Sequence, residues 1–284
     1  MTMRADLACA SMFRHTPARV HVVRMTLIAT IKSTLRAQRQ TGNPVVRLAI
    51  RVFDAARGSV RPFWMFALNR RYRATTLLRW FHPERLHQTA ALTCMNRYPQ
   101  IFGACRDLCV ARQDLRILSF GCSSGEEVIT LRQYFPDAYI VGADINPESL
   151  AQCRRQPVDA RMAFVLSEPT AIAAHGPFDL VFCMAVLQRT PRLVEAKRLT
   201  SLKKLYPFER FDRQVAELDS YLRRTGLLVI HHTQYFFRDT SVAGKYVVLE
   251  EGQIATDYPA RFDRNCERVD VVSGDGSIFR KVQD

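Results

Sequence analysis

Long apolar runs are missing from this chain of 284 residues. Residues 63–68 (Phe-Trp-Met-Phe-Ala-Leu) make six and the longest run, residues 180–187, eight, where a bilayer-crossing helix needs about 18 to 20; no transmembrane segment is expected. Acids are scarce at one end: up to Arg116 there are 20 Lys and Arg against 5 Asp and Glu, while the rest carries 21 against 22. The eight cysteines, at 9, 94, 105, 109, 122, 153, 183 and 266, show no paired framework, so free thiols in a reducing, cytoplasmic setting are expected. Cys105 and Cys109 sit one helical turn apart, but no histidine pair or second close cysteine pair accompanies them, so no metal site is expected. No internal repeat or low-complexity run is present.

Against those absences stands residues 117–127, Ile-Leu-Ser-Phe-Gly-Cys-Ser-Ser-Gly-Glu-Glu. An apolar run ending at Phe120 reads as a buried strand. Gly121 and Gly125 let the backbone turn and approach a ligand, and helical spacing resumes from Glu126 to Tyr134. A dinucleotide loop requires glycine at its first, third and sixth positions, so that pyrophosphate lies on the helix start. Here the third is Ser123 and the sixth is Glu126, a carboxylate that repels phosphate and welcomes an ammonium. The cofactor that fits is S-adenosylmethionine, which carries an amine and a sulfonium.

A second short strand, residues 138–143, ends on Asp144, 24 residues after Phe120. An acid so placed can take both ribose hydroxyls. Residues 164–166, 178–183 and 227–231 read as further strands separated by helix-length sequence, with a helix at 208–222 and a Thr225-Gly226 turn before the fifth strand. Residues 245–250 and 277–282 read as an antiparallel pair completing the sheet. The alternation predicts an α/β, Rossmann-like, seven-stranded, mostly parallel sheet with helices on both faces, preceded by an N-terminal helical module. Three regions are expected: a basic, loosely ordered arm at 1–44, a basic helical module at 45–114 and the sheet domain at 115–284. For the arm, an organelle-targeting segment is the alternative.

The loop residues from Gly121 to Glu127, the run Ala143-Asp144-Ile145-Asn146 and residues 178–183 followed by Val186-Leu187 resemble the cofactor domain of the CheR-type methyltransferases, over residues 115–235. The resemblance implies that Glu126 holds the methionine ammonium and Asp144 the ribose, with Glu168 where that family places an asparagine near adenine. The expected cofactor site is thus Gly121, Cys122, Ser123, Ser124, Gly125, Glu126, Asp144, Ile145, Glu168, Cys183 and Met184. The family's receptor-docking insertion before the fourth strand has no room here, since 31 residues separate Asn146 from Phe178.

Methyl transfer needs a base only when the nucleophile starts protonated. His231, His232 and Tyr235 at the end of the fifth strand are the candidates, because carboxyl ends of parallel strands face the ligand crevice; alternation would turn only one of the two histidines inward. Gln188 and Arg189 are candidate contacts to the acceptor. No Asn/Asp-Pro-Pro-Tyr run and no Pro-Cys follow the fourth strand, which argues against methylation of a base amine or of cytosine C5. The expected partner is a small-molecule or protein acceptor. The basic region, with Arg70-Arg71-Tyr72-Arg73 and Arg79-Trp80-Phe81, leaves nucleic acid or an anionic membrane surface open; its alternative is a basic adaptor keeping the fold without turnover.

Overall fold

The computed structural model describes residues 63–88, 93–249, 260–270 and 276–283. The expected arm at 1–44 and the start of the module after it, residues 45–62, lie outside these. The chain divides into two units, Met1–Arg73 and Ala74–Asp284, so residues 74–114 group with the sheet and not with a separate helical module. In the first unit, residues 63–68 are helical, and Arg73 reaches back to the carbonyl of Ala67 at 3.1 Å. Helix α1, Arg70–Phe81, spans the division. Among the described residues, no helix is long and apolar enough to cross a membrane.

The second unit is built on alternating β and α segments. After α2 (Pro99–Leu108) come β1 (Arg116–Phe120), α3 (Glu126–Tyr134), β2 (Tyr139–Asp144), α4 (Pro147–Cys153), β3 (Met162–Leu166), α5 (Pro169–Ala173) and β4 (Phe178–Met184). Then follow α6 (Pro191–Ala196), α7 (Phe208–Tyr221), β5 (Leu222–His231), β6 (Tyr246–Val248), a short hairpin of β7 (Arg261–Phe262) and β8 (Arg268–Val269), and β9 (Ile278–Lys281). The main sheet has the order β3-β2-β1-β4-β5-β9-β6. Strands β1 to β5 pair in parallel, and β9 runs antiparallel between β5 and β6. This is the expected seven-stranded, mostly parallel sheet. The order reverses at β1, and ligands of open α/β sheets bind at the carboxyl ends beside such a switch.

Strand alternation explains the two cores. Leu118 and Phe120 of β1 pack with Val181, Leu228 and the α7 face carrying Phe211, Val215 and Leu218. Ile117 faces the opposite layer with Ile101, Phe102 and Cys105 of α2 and Val128 and Leu131 of α3. β4 is buried along its whole length, as a central parallel strand must be.

One boundary differs from the sequence reading. The strand β5 starts at Leu222, directly after α7, and Thr225-Gly226 is an irregularity inside it. The register passes from Phe178↔Leu222 to Leu180↔Leu227, and Thr225 takes φ 66° to absorb the extra residues. Past β5, residues 232–239 hold a 3-10 turn at Phe237–Asp239 and no strand. The long connection before β9 contains the β7–β8 hairpin.

Candidate functional site

The bend after β1 is held by its neighbour. The N–H groups of Gly121 and Cys122 both donate to the Ala143 carbonyl of β2, at 2.7 and 3.0 Å. Gly121 (φ 78°), Ser123 (φ 52°) and Gly125 (φ 97°) all take left-handed conformations, costly for any residue but glycine or a small polar one. A Cβ on Gly121 would stand 2.4 Å from Val186 of the β4 loop. The tightness the sequence predicted is therefore real: the loop approaches the end of β4 as closely as backbone allows.

Asp144 ends β2 beside this bend. Its Oδ2 accepts from the Ser123 N–H at 2.9 Å and its Oδ1 from the Asn146 N–H at 2.8 Å. Two backbone donors fix the carboxylate at the end of β2. Ile145 follows it, half-buried. Cys122 and Cys153 are both buried, and both Sγ atoms lie within reach of the Ser123 carbonyl, at 4.0 and 3.1 Å. Contact with Cys153 and burial push the Cys122 thiol up, so it stays protonated and packs. Cys183 and Met184 end β4 in the core; burial likewise pushes the Cys183 thiol up.

The two acids opening α3 divide the work differently from the sequence reading. Glu126 turns to the Ser124 hydroxyl, at 2.9 and 3.1 Å. Glu127 is the enclosed one: Ser119 Oγ of β1 donates to it at 2.8 Å, and burial raises its pKa to about 7 against the pull of that bond and of the Arg97 charge. Its hydrogen-bond partner is a neutral hydroxyl, and the charge acting on it is that of Arg97. Arg97, just before α2, stands with its guanidinium 5.2 Å from the Tyr98 ring and acts on both Glu127 and His232. Glu127, Arg97 and Tyr98 were not singled out from sequence; the signal for Glu127 was Ser119, an inward position of β1 with no charge of its own.

The expected base candidates separate. His231 Nδ1 meets Ser277 Oγ at 2.8 Å. His232 takes φ 56° and so escapes strand alternation: both imidazoles face Tyr98, with ring centroids at 5.2 and 5.5 Å, and lie 4.4 Å from each other. The expectation that only one turns inward is thereby corrected. Burial, then Arg97 and Arg261, lower the His232 pKa to about 4, leaving it neutral near pH 7. Tyr235 is fully buried among Tyr206, Phe208 and Phe211. Its hydroxyl donates to the Tyr206 carbonyl and burial pushes its pKa up, so it packs the core and has no reach to a substrate proton. Glu168 is exposed, at the start of α5, with no contact that would hold a ring. Gln188 is buried and donates to the Ala185 carbonyl at 2.8 Å, shaping the turn after β4. Arg189 stays half-buried beyond it, its Nη1 on the carbonyls of Leu86 and His87 at 2.6 and 3.2 Å.

Those last contacts show what closes the crevice. Thr75 meets Asn146 after β2 at 3.5 Å, Arg85 donates to the Ser167 carbonyl after β3, Leu86 and His87 hold Arg189 after β4, and Tyr98 lies on the histidines after β5. Residues 75–88 and 93–98 thus meet the carboxyl edge of the sheet at these points. Among the described residues no group of three His, Cys, Asp or Glu could hold a metal ion.

Residues 117–204 match the family model described as a methyltransferase domain. The chain is similar to the trans-aconitate 2-methyltransferases of Methylobacterium nodulans, 34% identical over 76 residues, and Methylobacterium radiotolerans, 33% over 75 residues. These alignments take in 27% and 26% of this chain and 29% and 28% of the relatives. The chain thus spans under a third of the length of the curated relatives it matches. Among solved structures it is similar to CalS10, an amino pentose methyltransferase from Micromonospora echinaspora bound to SAM, at 23% identity and TM-score 0.33, over 48% of this chain and 50% of that one. The domain match falls on β1 to α6, the part of the sheet that carries the bend after β1 and Asp144.

Proposed function

We propose that this protein is an S-adenosylmethionine-dependent methyltransferase acting on oxygen or nitrogen of a small molecule or a protein side chain. The observation that carries the reading is the pair of carboxylates at the switch point: Asp144, held by two backbone N–H groups, and Glu127, enclosed with one hydroxyl. A diphosphate would meet two negative charges there; a cationic donor with a ribose meets what it needs. Asp144 binds the ribose hydroxyls, Glu127 the ammonium, and Arg97 the carboxylate of the same amino-acid end. Bound there, the cofactor supplies a methyl group on a positive sulfur.

The protein's own part is alignment. Holding a nucleophile in line at near-attack distance is worth on the order of 7 to 11 kcal/mol without further chemistry. Tyr98 and the contacts made by Thr75, Arg85, Leu86 and His87 keep water from the crevice. His232, neutral near pH 7, accepts the proton of an acceptor hydroxyl or ammonium through its imidazole, though so low a pKa gives it modest driving force. Helices α4 and α5 and strand β3 occupy residues 147–177, so no receptor-docking subdomain of the CheR type intervenes there.

The test is transfer of an isotopically labelled methyl group from S-adenosylmethionine to a panel of hydroxyl, amine and carboxyl compounds, with wild type beside Asp144→Ala. Label in product with wild type and at least tenfold less with the variant is expected. Label transfer that Asp144→Ala leaves intact contradicts the assignment, and none from either protein with any of the acceptors contradicts the activity.

A further inference from the structure

Beyond β4, four buried side-chain atoms have no hydrogen-bond partner: Thr190 Oγ1, Arg210 Nε, Gln214 Nε2 and Gln234 Nε2. Three are pure donors, and the threonine hydroxyl can donate as well. Buried polar groups are normally paired, so several orphans in one region call for an acceptor. They do share a region. Gln234 Oε1 accepts the Arg189 N–H at 2.7 Å, Arg189 Nη1 donates to the His87 carbonyl at 3.2 Å, and His87 Nε2 meets Gln214 Oε1 at 3.1 Å. Gln214 and Arg210 lie one turn apart on α7.

The protonation pattern leaves the orphan amide facing outward from this chain of contacts. Burial first, then Arg210, pushes the His87 pKa down to about 3, and burial pushes the Tyr206 hydroxyl up. The hydroxyl therefore donates to His87 Nδ1, at 2.7 Å, and Nε2–H donates to Gln214 Oε1. That fixes the amide orientation and leaves the Gln214 nitrogen unpaired. Charge points the same way. Arg189 feels burial and then the repulsion of Arg210 and Arg79; the one carboxylate acting on this pair is the exposed Glu84, through Arg210. Only Nη1 of the Arg189 guanidinium is used by the protein.

We infer that Arg189, Thr190, Arg210, Gln214 and Gln234 form a carboxylate-binding subsite, and that the methyl acceptor carries a carboxylate seated there. The subsite stands at the end of β4, on the crevice side where an acceptor approaches the methyl donor. A planar guanidinium fork with planar amides matches a planar monoanion. A phosphate dianion asks for more positive charge than one half-exposed fork and neutral amides provide. The anion contact itself depends only on these side chains; calling its ligand the methyl acceptor rests on the methyltransferase reading.

The experiment loads the full chain with S-adenosylhomocysteine and follows thermal unfolding with benzoate, succinate and citrate, each beside its amide, and with inorganic phosphate. The affinity for S-adenosylhomocysteine is measured separately by calorimetry, so failure of the cofactor reading shows there and nowhere else; the acids are also titrated into the unloaded protein. At least one acid is expected to stabilise the protein where its amide does not, with apparent affinity reduced tenfold or more in Arg189→Met and less in Arg189→Lys, while the affinity for S-adenosylhomocysteine stays within about twofold in both. If Arg189→Met does not fold, Gln234→Leu replaces it with the same expectation. Amides as effective as acids, phosphate better than every acid, no stabilisation by any acid, or acid affinity unchanged in the variants each overturn the proposal.

Discussion

Glu127 shows how far a single side chain can be read from sequence. Both acids after Gly125 stand at the start of a helix, and spacing alone gives Glu126 the ammonium. Only packing shows that Glu127 reaches the inward Ser119 while Glu126 turns to Ser124. Its folded pKa of about 7, raised chiefly by burial, lies above the unfolded value. Its contribution to stability is therefore full below about pH 4.5 and is lost as pH rises through 7. Binding an ammonium requires the ionised form, so affinity for S-adenosylhomocysteine is predicted to rise on the order of tenfold between pH 6 and 7.5. In Glu127→Gln that rise disappears and the affinity is low throughout, as calorimetry at several pH values would show; an unchanged slope would return the role to Glu126. That Asp144, Arg189 and His232 stand at or just past strand ends was legible from the alternation of segments. Tyr235 failed for the same reason it looked suitable: a large residue just past a strand packs under the edge as readily as over it.

Among the elements, strands β1 to β4 were readable because central parallel strands are continuous apolar runs. The early start of β5 was not, since Thr225-Gly226 has the composition of a turn and serves as a bulge. Its cause is Asp179 of β4. This buried carboxylate takes the Arg116 N–H at 2.8 Å and the guanidinium groups of Arg112 and Arg223, and Gly226 passes so close that a Cβ would meet the Asp179 carbonyl at 2.9 Å. The contacts of Thr75, Arg85, Leu86, His87 and Tyr98 along the sheet edge were equally hidden, because they come from carbonyls and rings without a repeating pattern. Two element-scale predictions follow from packing. Gly121→Ala places a Cβ against Val186 in a left-handed backbone and should cost about 1–3 kcal/mol along with cofactor affinity; adding Val186→Ala relieves the contact but not the backbone, so only part of the loss in melting temperature returns. At the sheet's far side, Asp219 on α7 receives Tyr246 Oη of β6 at 2.6 Å, Lys245 Nζ at 2.9 Å and the buried Lys281 Nζ of β9 at 3.0 Å. Asp219→Ala leaves Lys281 buried without its counter-charge and is predicted to destabilise by roughly 3–5 kcal/mol, read from denaturant unfolding.

For the whole molecule, pH stability combines groups of opposite sign. His87 and His232 are held at about 3 and 4, mainly by burial, so the unfolded chain binds more protons than the folded one between those values and about 6.5. Stability from these two must fall as pH is lowered through that window. Burial pushes the Asp219 pKa up, but the bonds from Tyr246, Lys245 and Lys281 outweigh it and leave a net lowering, which removes further stability in stronger acid; Glu127 alone runs the other way. Melting temperature is thus predicted to drop from pH 6.5 towards 4, and a flat profile would show that the two histidines are not buried. The class of fold was legible from the alternation of segments and the one loop. The acceptor was not, because its contacts come from single residues brought together by the fold. The central claim is that the bend after β1, with Asp144 and Glu127, recognises a cationic thioether nucleoside. Its most direct measurement is calorimetric titration of the full chain with S-adenosylhomocysteine in competition with a nicotinamide dinucleotide. One site per chain, unaffected by the dinucleotide and weakened at least tenfold in Asp144→Ala, is the predicted result; no binding, or displacement by the dinucleotide, would contradict it.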